Sequence, residues 1–227
     1  MTPPHFPSSI LSTAYLPPVS YFFAIAHSGQ VLIEQHEAYQ KQSWRNRCRI
    51  LSAAGPEDLS IPVMKEQRRS RPIRDIRIDY SEPWLQHHIR AFSAAYNASA
   101  YYDYYADDLL PVLQGRPVFL FDLNLALLEK LLSLLDIHVP LSFTDHFLPP
   151  GPAGDMFDWR ERIQPKYKGK SLIAEYACEQ AYYQVFVNRD PASLRHSGPD
   201  RASFIPDLSI LDLLCAEGPD AGSYLRI

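Results

Sequence analysis

The sequence predicts an α/β fold: a single domain, residues 1–227, with a βαβ opening and a largely parallel central sheet flanked by helices. Three observations lead to this prediction. The first 36 residues pass through a β-branched segment, an apolar segment of helical length and a second apolar segment. A hydrophobic content of 46% and a charged content of 21% are typical of a globular protein with a buried core. A length of 227 residues fits one large domain.

The N-terminal segments predict strand, helix and strand in that order. Residues 8–16 predict a first strand, which a Pro-Pro pair ends. Residues 19–29 predict a helix with Gly29 as its C-terminal cap, and residues 30–36 predict a buried second strand. Ligands of parallel sheets collect at the carboxyl ends of the strands. Those ends lead into "AYLPP" and "QHEAYQKQSWRNR", so we expect a ligand site beside these two segments.

The rest of the chain alternates between segments of strand and helix periodicity. Residues 149–170, rich in Pro, Gly and charge, predict a long loop or insertion. In the last helix, Ser209 and Asp212 predict a capping box, and Gly218 predicts the helix end. The other predicted elements are strands at 57–64, 73–80 and 139–149, an extended segment that enters a long helix over 118–137, and helices at 82–97, 100–115 and 175–186.

Composition and motifs exclude several classes of protein. A formal net charge of −4 carries no general signature of nucleic-acid binding, so we expect no nucleic-acid partner. No apolar stretch reaches the roughly 18 residues of a membrane span, and the N-terminus lacks the pattern of a signal peptide. Three widely spaced cysteines without a Cys-x-x-Cys pair argue against a disulfide scaffold and a zinc site. We therefore expect a cytoplasmic protein with no metal, and the common nucleotide-binding motifs are absent, so we expect no cofactor.

Positive charge is concentrated in residues 41–90, which hold eleven Lys and Arg against six Asp and Glu, a local charge of +5. Within this region, "HEAYQKQSWRNRCRI" combines basic, amide and aromatic side chains. A planar guanidinium suits phosphate or carboxylate, and flat rings can stack on a base or a sugar. The candidate ligand-binding residues of this segment are Tyr39, Lys41, Ser43, Trp44, Asn46 and Arg47. The alternative interpretation is a solvated basic loop anchored by one aromatic ring.

A second candidate group lies in "PWLQHHIR", residues 83–90. Trp84 and His88 are four residues apart, so they share one face of a helix, whereas His87 points about 100° away. His88 could serve as a general acid or base near neutral pH. The alternative is that one histidine is buried and satisfied within the core and the other lies on the surface.

Two tyrosine-containing segments are further candidates. Tyr15 adjoins the Pro-Pro turn at a strand end, where it could form a ligand wall or simply pack against the turn. Tyr96 begins a run of five tyrosines and three aspartates over 96–108. Such a run can stack on sugars, but it equally describes a half-buried helix that packs its rings.

Taken together, these motifs resemble the WbqC-like protein family. The resemblance rests on "AYLPPVSYF", "HEAYQKQSWRNRCRI" followed by "LSIPV", "WLQHH" followed by "AAY", and "LSILDLLCAEGPDA", in this order, and it weakens only over 149–170. It implies a bacterial cytoplasmic protein, and some members lie among genes for O-antigen and other surface polysaccharides. There they are proposed to transfer an aminoacyl group such as glycine to an amino sugar. The resemblance directs attention to Tyr15, Pro17, Tyr39, Lys41, Asn46, Arg47, Trp84, His88 and Tyr96.

The sequence and the resemblance together favour a metal-independent transferase that acts on a phosphate-bearing small molecule such as a nucleotide-linked amino sugar. Arg47 and Lys41 would hold the anion, Asn46 would orient it, and Trp44 or Tyr39 would stack on a ring. His88 would take a proton from the attacking amine. The alternative is a non-catalytic binding or scaffold module that recognises a nucleotide sugar or a partner enzyme.

Overall fold

The computed structural model describes residues 4–65, 71–151, 155–176, 180–187 and 204–226. Within these ranges it contains a four-stranded parallel sheet, a separate two-stranded hairpin and six α-helices. The strands are β1 Ser8–Ser12, β2 Val31–Glu34, β3 Arg47–Ser52, β4 Gly55–Ser60, β5 Leu141–Phe143 and β6 Met156–Asp158. The helices are α1 Val19–Ala26, α2 Trp84–Tyr96, α3 Tyr102–Gln114, α4 Leu120–Leu134, α5 Leu172–Glu175 and α6 Ile210–Glu217.

The βαβ opening and the parallel central sheet are confirmed. β1 and β2 are adjacent and parallel, with Ser9 opposite Val31, and α1 connects them. The strand order is β5-β2-β1-β6, and every pairing in this sheet is parallel. β1 lies inside the sheet, and Ile10 and Leu11, on opposite faces of the strand, are both buried, as expected for a parallel sheet covered on both faces.

Gly29 does not cap α1, contrary to the sequence prediction. The helix ends at Ala26 with His27 as its C-cap. Gly29 serves a different purpose, since its N–H donates to the carbonyl oxygen of Phe6 at 2.8 Å. A Cβ at this position would lie 2.9 Å from the carbonyl oxygen of Pro7, so the close approach of the two chain segments requires glycine.

The strand predicted over 73–80 is wrong. A 3-10 turn, Ile73–Asp75, is followed by an extended segment that makes only isolated bridges, from Ile78 to Val63 and from Arg77 to Phe119. The alternating isoleucines are buried all the same. The spacing of the isoleucines therefore predicted their burial correctly. Within the described ranges, however, this segment forms only isolated bridges and no continuous ladder with a neighbouring strand.

The predicted loop over 149–170 contains β6, which adds an edge strand to the central sheet beside β1. A strand of three residues is too short to show a strand periodicity in the sequence. The surrounding Pro and Gly residues favoured the prediction of a loop instead. The helix predicted over 175–186 is also wrong, because α5 ends at Glu175 and residues 180–187 are not helical. Residues 177–179 lie outside the described ranges. Tyr182 and Gln184 instead hydrogen-bond the buried carboxylate of Asp212.

The other late elements follow the sequence in outline. α2, α3, α4 and β5 lie within their predicted segments, although the extended entry to α4 makes only the bridge at Phe119. Ser209 caps α6 and Gly218 ends it at φ 59°. The capping box is incomplete, because the Asp212 carboxylate faces Tyr182 rather than the Ser209 N–H, which donates to Arg49.

The hairpin of β3 and β4 positions the candidate site. The sequence predicted a strand at 57–64, and the structure places β4 slightly earlier and pairs it antiparallel with β3. Gly55, at φ 109°, lies at the turn between them. α2 packs against β3, so its N-terminal half faces the open side of this hairpin.

We expect Gly222→Ala to destabilise the fold. Gly222 lies in the C-terminal 3-10 segment, Gly218–Leu225, and a Cβ there would lie 2.5 Å from the carbonyl oxygen of Leu135. Relieving this overlap requires backbone movement, which costs about 1–3 kcal/mol in a packed core. Urea denaturation measures the effect. Gly115→Ala is the matched control, because its nearest contact is 3.4 Å, and an equal loss in both variants would contradict the prediction.

Candidate functional site

A cleft of about 660 Å³ lies between the β3–β4 hairpin and the N-terminal half of α2. It brings together side chains from three separate parts of the sequence: the segment after β2, the hairpin and α2. Six of the ten residues predicted for the site line it: Tyr39, Lys41, Asn46, Arg47, Trp84 and His88. Residues from the first two candidate segments of the sequence therefore meet in one place.

The hairpin wall of the cleft presents Arg47 and Asp58, which form a small ionic cluster with Arg49. Arg47 donates from Nη1 to Asp58 at 3.0 Å and from Nε to Ser60 at 3.2 Å. Arg49 donates to both oxygens of the same carboxylate, at 2.7 and 3.1 Å. Burial acts to raise the pKa of Asp58, but the hydrogen bonds and charges of Arg49 and Arg47 hold it below its usual value. Because two guanidinium groups share one carboxylate, these three side chains together carry a charge of +1. Arg49 does not line the cleft, however, and among the lining residues Lys41 and Arg47 are balanced by Asp58 and Glu82.

The segment before the hairpin supplies a second cation. Lys41 is exposed at the cleft and makes no ion pair with any residue in the described ranges. The next residue, Gln42, has φ 58°, a left-handed conformation that is uncommon for a residue with a side chain. Its side chain contacts the ammonium group of Lys166. The segment predicted as an insertion thus reaches the rim of the cleft.

Asn46 and Trp84 both line the cleft, and each is positioned by contacts with the protein. A 3-10 turn, Trp44–Asn46, leads directly into β3, and the Nδ2 of Asn46 donates to the carbonyl oxygen of Ile61 at 2.7 Å. Trp84 begins α2, and its ring packs against Tyr80 and His88 at centroid distances of 5.6 and 5.1 Å. Both side chains are therefore held by protein contacts before any ligand arrives.

His88 is almost fully buried, at 1% exposure, although its ring borders the cleft. Nδ1 lies 2.9 Å from the hydroxyl of Tyr15, and the ring also hydrogen-bonds the backbone of Ser60. This arrangement assigns Tyr15 as the donor to Nδ1 and leaves the proton on the other ring nitrogen. Burial, and then the neighbouring charge of His87, lower the pKa of His88 to about 4. His88 is neutral at pH 7.

Four of the predicted site residues lie behind the cleft wall. Tyr15 is buried against His88, and Ser43 donates to the carbonyl oxygen of Gln40 at 2.7 Å. Trp44 is buried under the guanidinium of Arg49, which lies 5.5 Å from its ring centroid. Tyr96 is buried near Asp212, at the other end of α2. These side chains hold the wall in place, whereas the sequence placed them in contact with substrate.

The site predicted from the sequence left out three titratable residues that line the cleft: Asp58, Glu82 and His87. Asp58 was not selected because β3 was not predicted from the sequence. Without β3, the cross-strand pairing of Arg49 with Asp58 could not be inferred. The alternation of polar and apolar residues in "RCRIL" was the available signal. Cys48, the buried residue in that alternation, has its thiol pKa raised by burial and then by Asp58.

Protein side chains fill the crevice at the carboxyl edge of the parallel sheet, and the cleft lies beside the segment that follows β2. Arg45, 2% exposed, donates to Glu37 at 2.7 Å and to Ser12 at 2.9 Å, beside the end of β1. Arg160 occupies the end of β6 in the same way, between Asp158 and Glu34. The cavity that remains between the two arginines holds about 10 Å³, no more than a single water requires.

A larger cavity, of about 830 Å³, lies beside β6, an edge strand of the central sheet. It contains none of the predicted site residues, and three of its charged residues, Asp155, Asp158 and Glu161, are acidic. Part of its rim adjoins residues outside the described ranges. The smaller cleft is therefore the better candidate for a functional site, because cationic, aromatic and amide side chains converge there.

The fold and the cleft define a class: an α/β protein with a four-stranded parallel sheet and a cleft of charged and aromatic side chains beside an accessory hairpin. The chain belongs to the WbqC-like protein family, whose model matches residues 13–224. It is also 30% identical over 224 residues to an uncharacterised protein of Mycobacterium tuberculosis, a match that covers 96% of each chain. No solved structure gives a significant match.

No group of three or more His, Cys, Asp and Glu side chains within the described ranges has the arrangement of metal ligands. None of the helices described here combines the length and the apolar character that crossing a membrane requires.

We expect Arg45→Leu to lower the free energy of unfolding by about 3–5 kcal/mol, because it leaves Glu37 charged and buried without its partner. The double variant Arg45→Leu/Glu37→Leu should recover most of this loss, since it removes both charges together. Chemical denaturation of the single and double variants measures the difference. Equal stabilities for the two would show that the buried charge is not the cause.

A pH titration followed by NMR should detect one of the eight histidines with a pKa of about 4, absent from the His88→Asn spectrum. Because burial lowers the pKa of His88 in the folded state, its contribution to stability is complete above pH 6.5 and is lost as the pH falls toward 4. The shift corresponds to about 3 kcal/mol. A value near 6.5 for His88 would contradict the buried, neutral state.

Proposed function

We propose that the protein is a transferase of bacterial surface-polysaccharide biosynthesis that moves an acyl or aminoacyl group to an amino sugar bound in the cleft. Membership of the WbqC-like family supports the biosynthetic context. The observation that carries the proposal is the convergence of Lys41, Arg47, Asn46 and Trp84 in one cleft of about 660 Å³. Such a volume suits a small-molecule substrate.

The charge distribution suits a substrate with one phosphate group. The ammonium of Lys41 and the unoccupied Nη2 of Arg47 are the cationic donors that remain for a ligand once contacts with the described residues are counted. Asp58 neutralises only one of the two arginines beside it. A phosphate held at this wall would place an attached sugar toward α2, where Trp84 can pack against its C–H groups.

The reaction would join the amine nitrogen of the sugar to the acyl carbon as the bond from that carbon to its leaving group breaks. One proton must leave the nitrogen. His88, the predicted base, is neutral at pH 7 as a base must be, but a pKa of about 4 limits its strength. His87 is exposed in the same cleft and is a second candidate for this proton.

A non-catalytic binding or scaffold module is the second candidate function, and one observation favours it. The His88 ring is already hydrogen-bonded within the protein, to Tyr15 and to the backbone of Ser60. A ring engaged in this way is typical of a structural histidine. The same cleft would then recognise a nucleotide sugar or a partner enzyme without turnover.

Mass spectrometry after incubation with nucleotide-linked amino sugars and activated acyl or aminoacyl donors tests the proposal. We expect an acylated sugar with the wild type and a loss of at least tenfold in kcat/KM for Arg47→Ala, because a charge-assisted hydrogen bond contributes about 1.5–3 kcal/mol. Arg74→Ala is the matched control, since Arg74 is an exposed arginine outside the cleft.

Histidine variants distinguish the two candidate functions. If His88 transfers the proton, His88→Asn should keep substrate binding and abolish turnover, while His87→Asn should do so if His87 is the base. If the wild type and both variants bind a nucleotide sugar but none of them forms product, the result would favour the binding module. Absence of both binding and product across the panel would overturn the transferase proposal.

A further inference from the structure

Two buried polar atoms in the wall of the cleft have no hydrogen-bond partner among the described residues. One is Oδ1 of Asn46, an acceptor, and the other is Nε1–H of Trp84, a donor. Asn46 is 8% exposed and Trp84 is 6% exposed, and both line the cleft. Folded proteins satisfy most buried polar atoms, so an unpaired acceptor and an unpaired donor in one cleft point to a ligand that completes them.

The conformations of the two side chains are set independently of any ligand. The Nδ2 of Asn46 donates to the carbonyl oxygen of Ile61 at 2.7 Å, which leaves Oδ1 as the free end of the amide. The backbone carbonyl of Asn46 accepts from the N–H of Ile61 at 2.8 Å, so the residue is held twice. Trp84 is held between the rings of Tyr80 and His88.

The group that satisfies both atoms must donate to Asn46 and accept from Trp84. A hydroxyl group does both at once, and two neighbouring hydroxyls can share the task. A bare phosphate at neutral pH is mainly an acceptor, so it leaves the oxygen of Asn46 unpaired. The aromatic rings around these atoms suit the C–H face of a sugar, and Lys41 and Arg47 suit an anion beside it.

We propose that Asn46 and Trp84 recognise a hydroxyl group of a phosphorylated hexose in this cleft by hydrogen bonding. This inference rests on the proposed function, because both use the same cleft. It adds to the proposed function the two residues that recognise the sugar, Asn46 and Trp84, which we call the sugar-recognising pair. Both atoms are shielded from solvent, so binding requires both side chains to turn these atoms toward the cleft. The phosphorylated hexose is either a free sugar 1-phosphate or the sugar part of a nucleotide sugar.

The three indole N–H groups of the protein make NMR a direct test. The probes are glucose, galactose, mannose and N-acetylglucosamine 1-phosphates, UDP-glucose, and inorganic phosphate as the control. At least one sugar probe should shift the indole N–H resonance of Trp84, whereas inorganic phosphate should leave it in place. The resonance of Trp159 should not move, because its Nε1 already donates to Ser9. Trp84→Phe identifies the signal.

Calorimetry with the same probes measures the energetic role. The wild type should bind the preferred sugar phosphate at least tenfold more tightly than inorganic phosphate. Trp84→Phe keeps an aromatic ring but removes the donor, and it should lose roughly threefold to tenfold in affinity for the sugar phosphate with no change for phosphate. Arg47→Ala should weaken both. Comparison of the hexose 1-phosphate with UDP-glucose separates the two sources of the sugar.

The outcomes separate this inference from the proposed function. Sugar phosphates that bind no better than phosphate, or that bind without shifting the Trp84 resonance, overturn the sugar-recognising pair and leave anion binding by Lys41 and Arg47 intact. Sugar binding with the Trp84 shift but no acyl transfer supports the pair and overturns the transferase proposal. A panel that does not bind at all overturns both.

Discussion

The buried ion pair between Arg45 and Glu37 fixes the segment on which the cleft is built. Arg45 joins this carboxylate to Ser12 at the end of β1, and its backbone carbonyl accepts from Asn124 of α4. A charge taken out of water in this way is stable only with its partners in place. The pair therefore ties the strand end, the following loop and α4 together, and it directs Asn46 and Arg47 away from the sheet.

This use of charge fills the crevice where open parallel sheets commonly bind ligands. In open parallel sheets the crevice at the carboxyl ends of the strands commonly binds ligands. Here Arg45 and Arg160 fill that crevice and satisfy the acids at the strand ends. The hairpin and α2, which are not part of the sheet, then form a second concave surface beside it. The parallel sheet supports these accessory elements, and the candidate site lies on them.

Exposure separates the two neighbouring histidines of the cleft. Helix geometry turns His88 toward Tyr15 and the core, where desolvation keeps it neutral. His87, one position earlier and about 100° around the helix, stays in contact with water at the cleft. A buried neutral ring is suited to holding the wall, while an exposed ring can exchange protons with solvent.

The sequence by itself determined the βαβ opening, the parallel sheet, the α2 helix and the family. These depend on local periodicity and residue type, which act over a few neighbouring positions. It also brought Lys41, Asn46, Arg47, Trp84 and His88 forward as candidates. Only the tertiary structure decided what each of them does, because their partners lie far along the chain. Asp58 is 11 residues from Arg47, and Tyr15 is 73 residues from His88. Desolvation and long-range pairing leave no periodic trace, so burial of Arg45, neutrality of His88 and the position of the cleft were settled by folding.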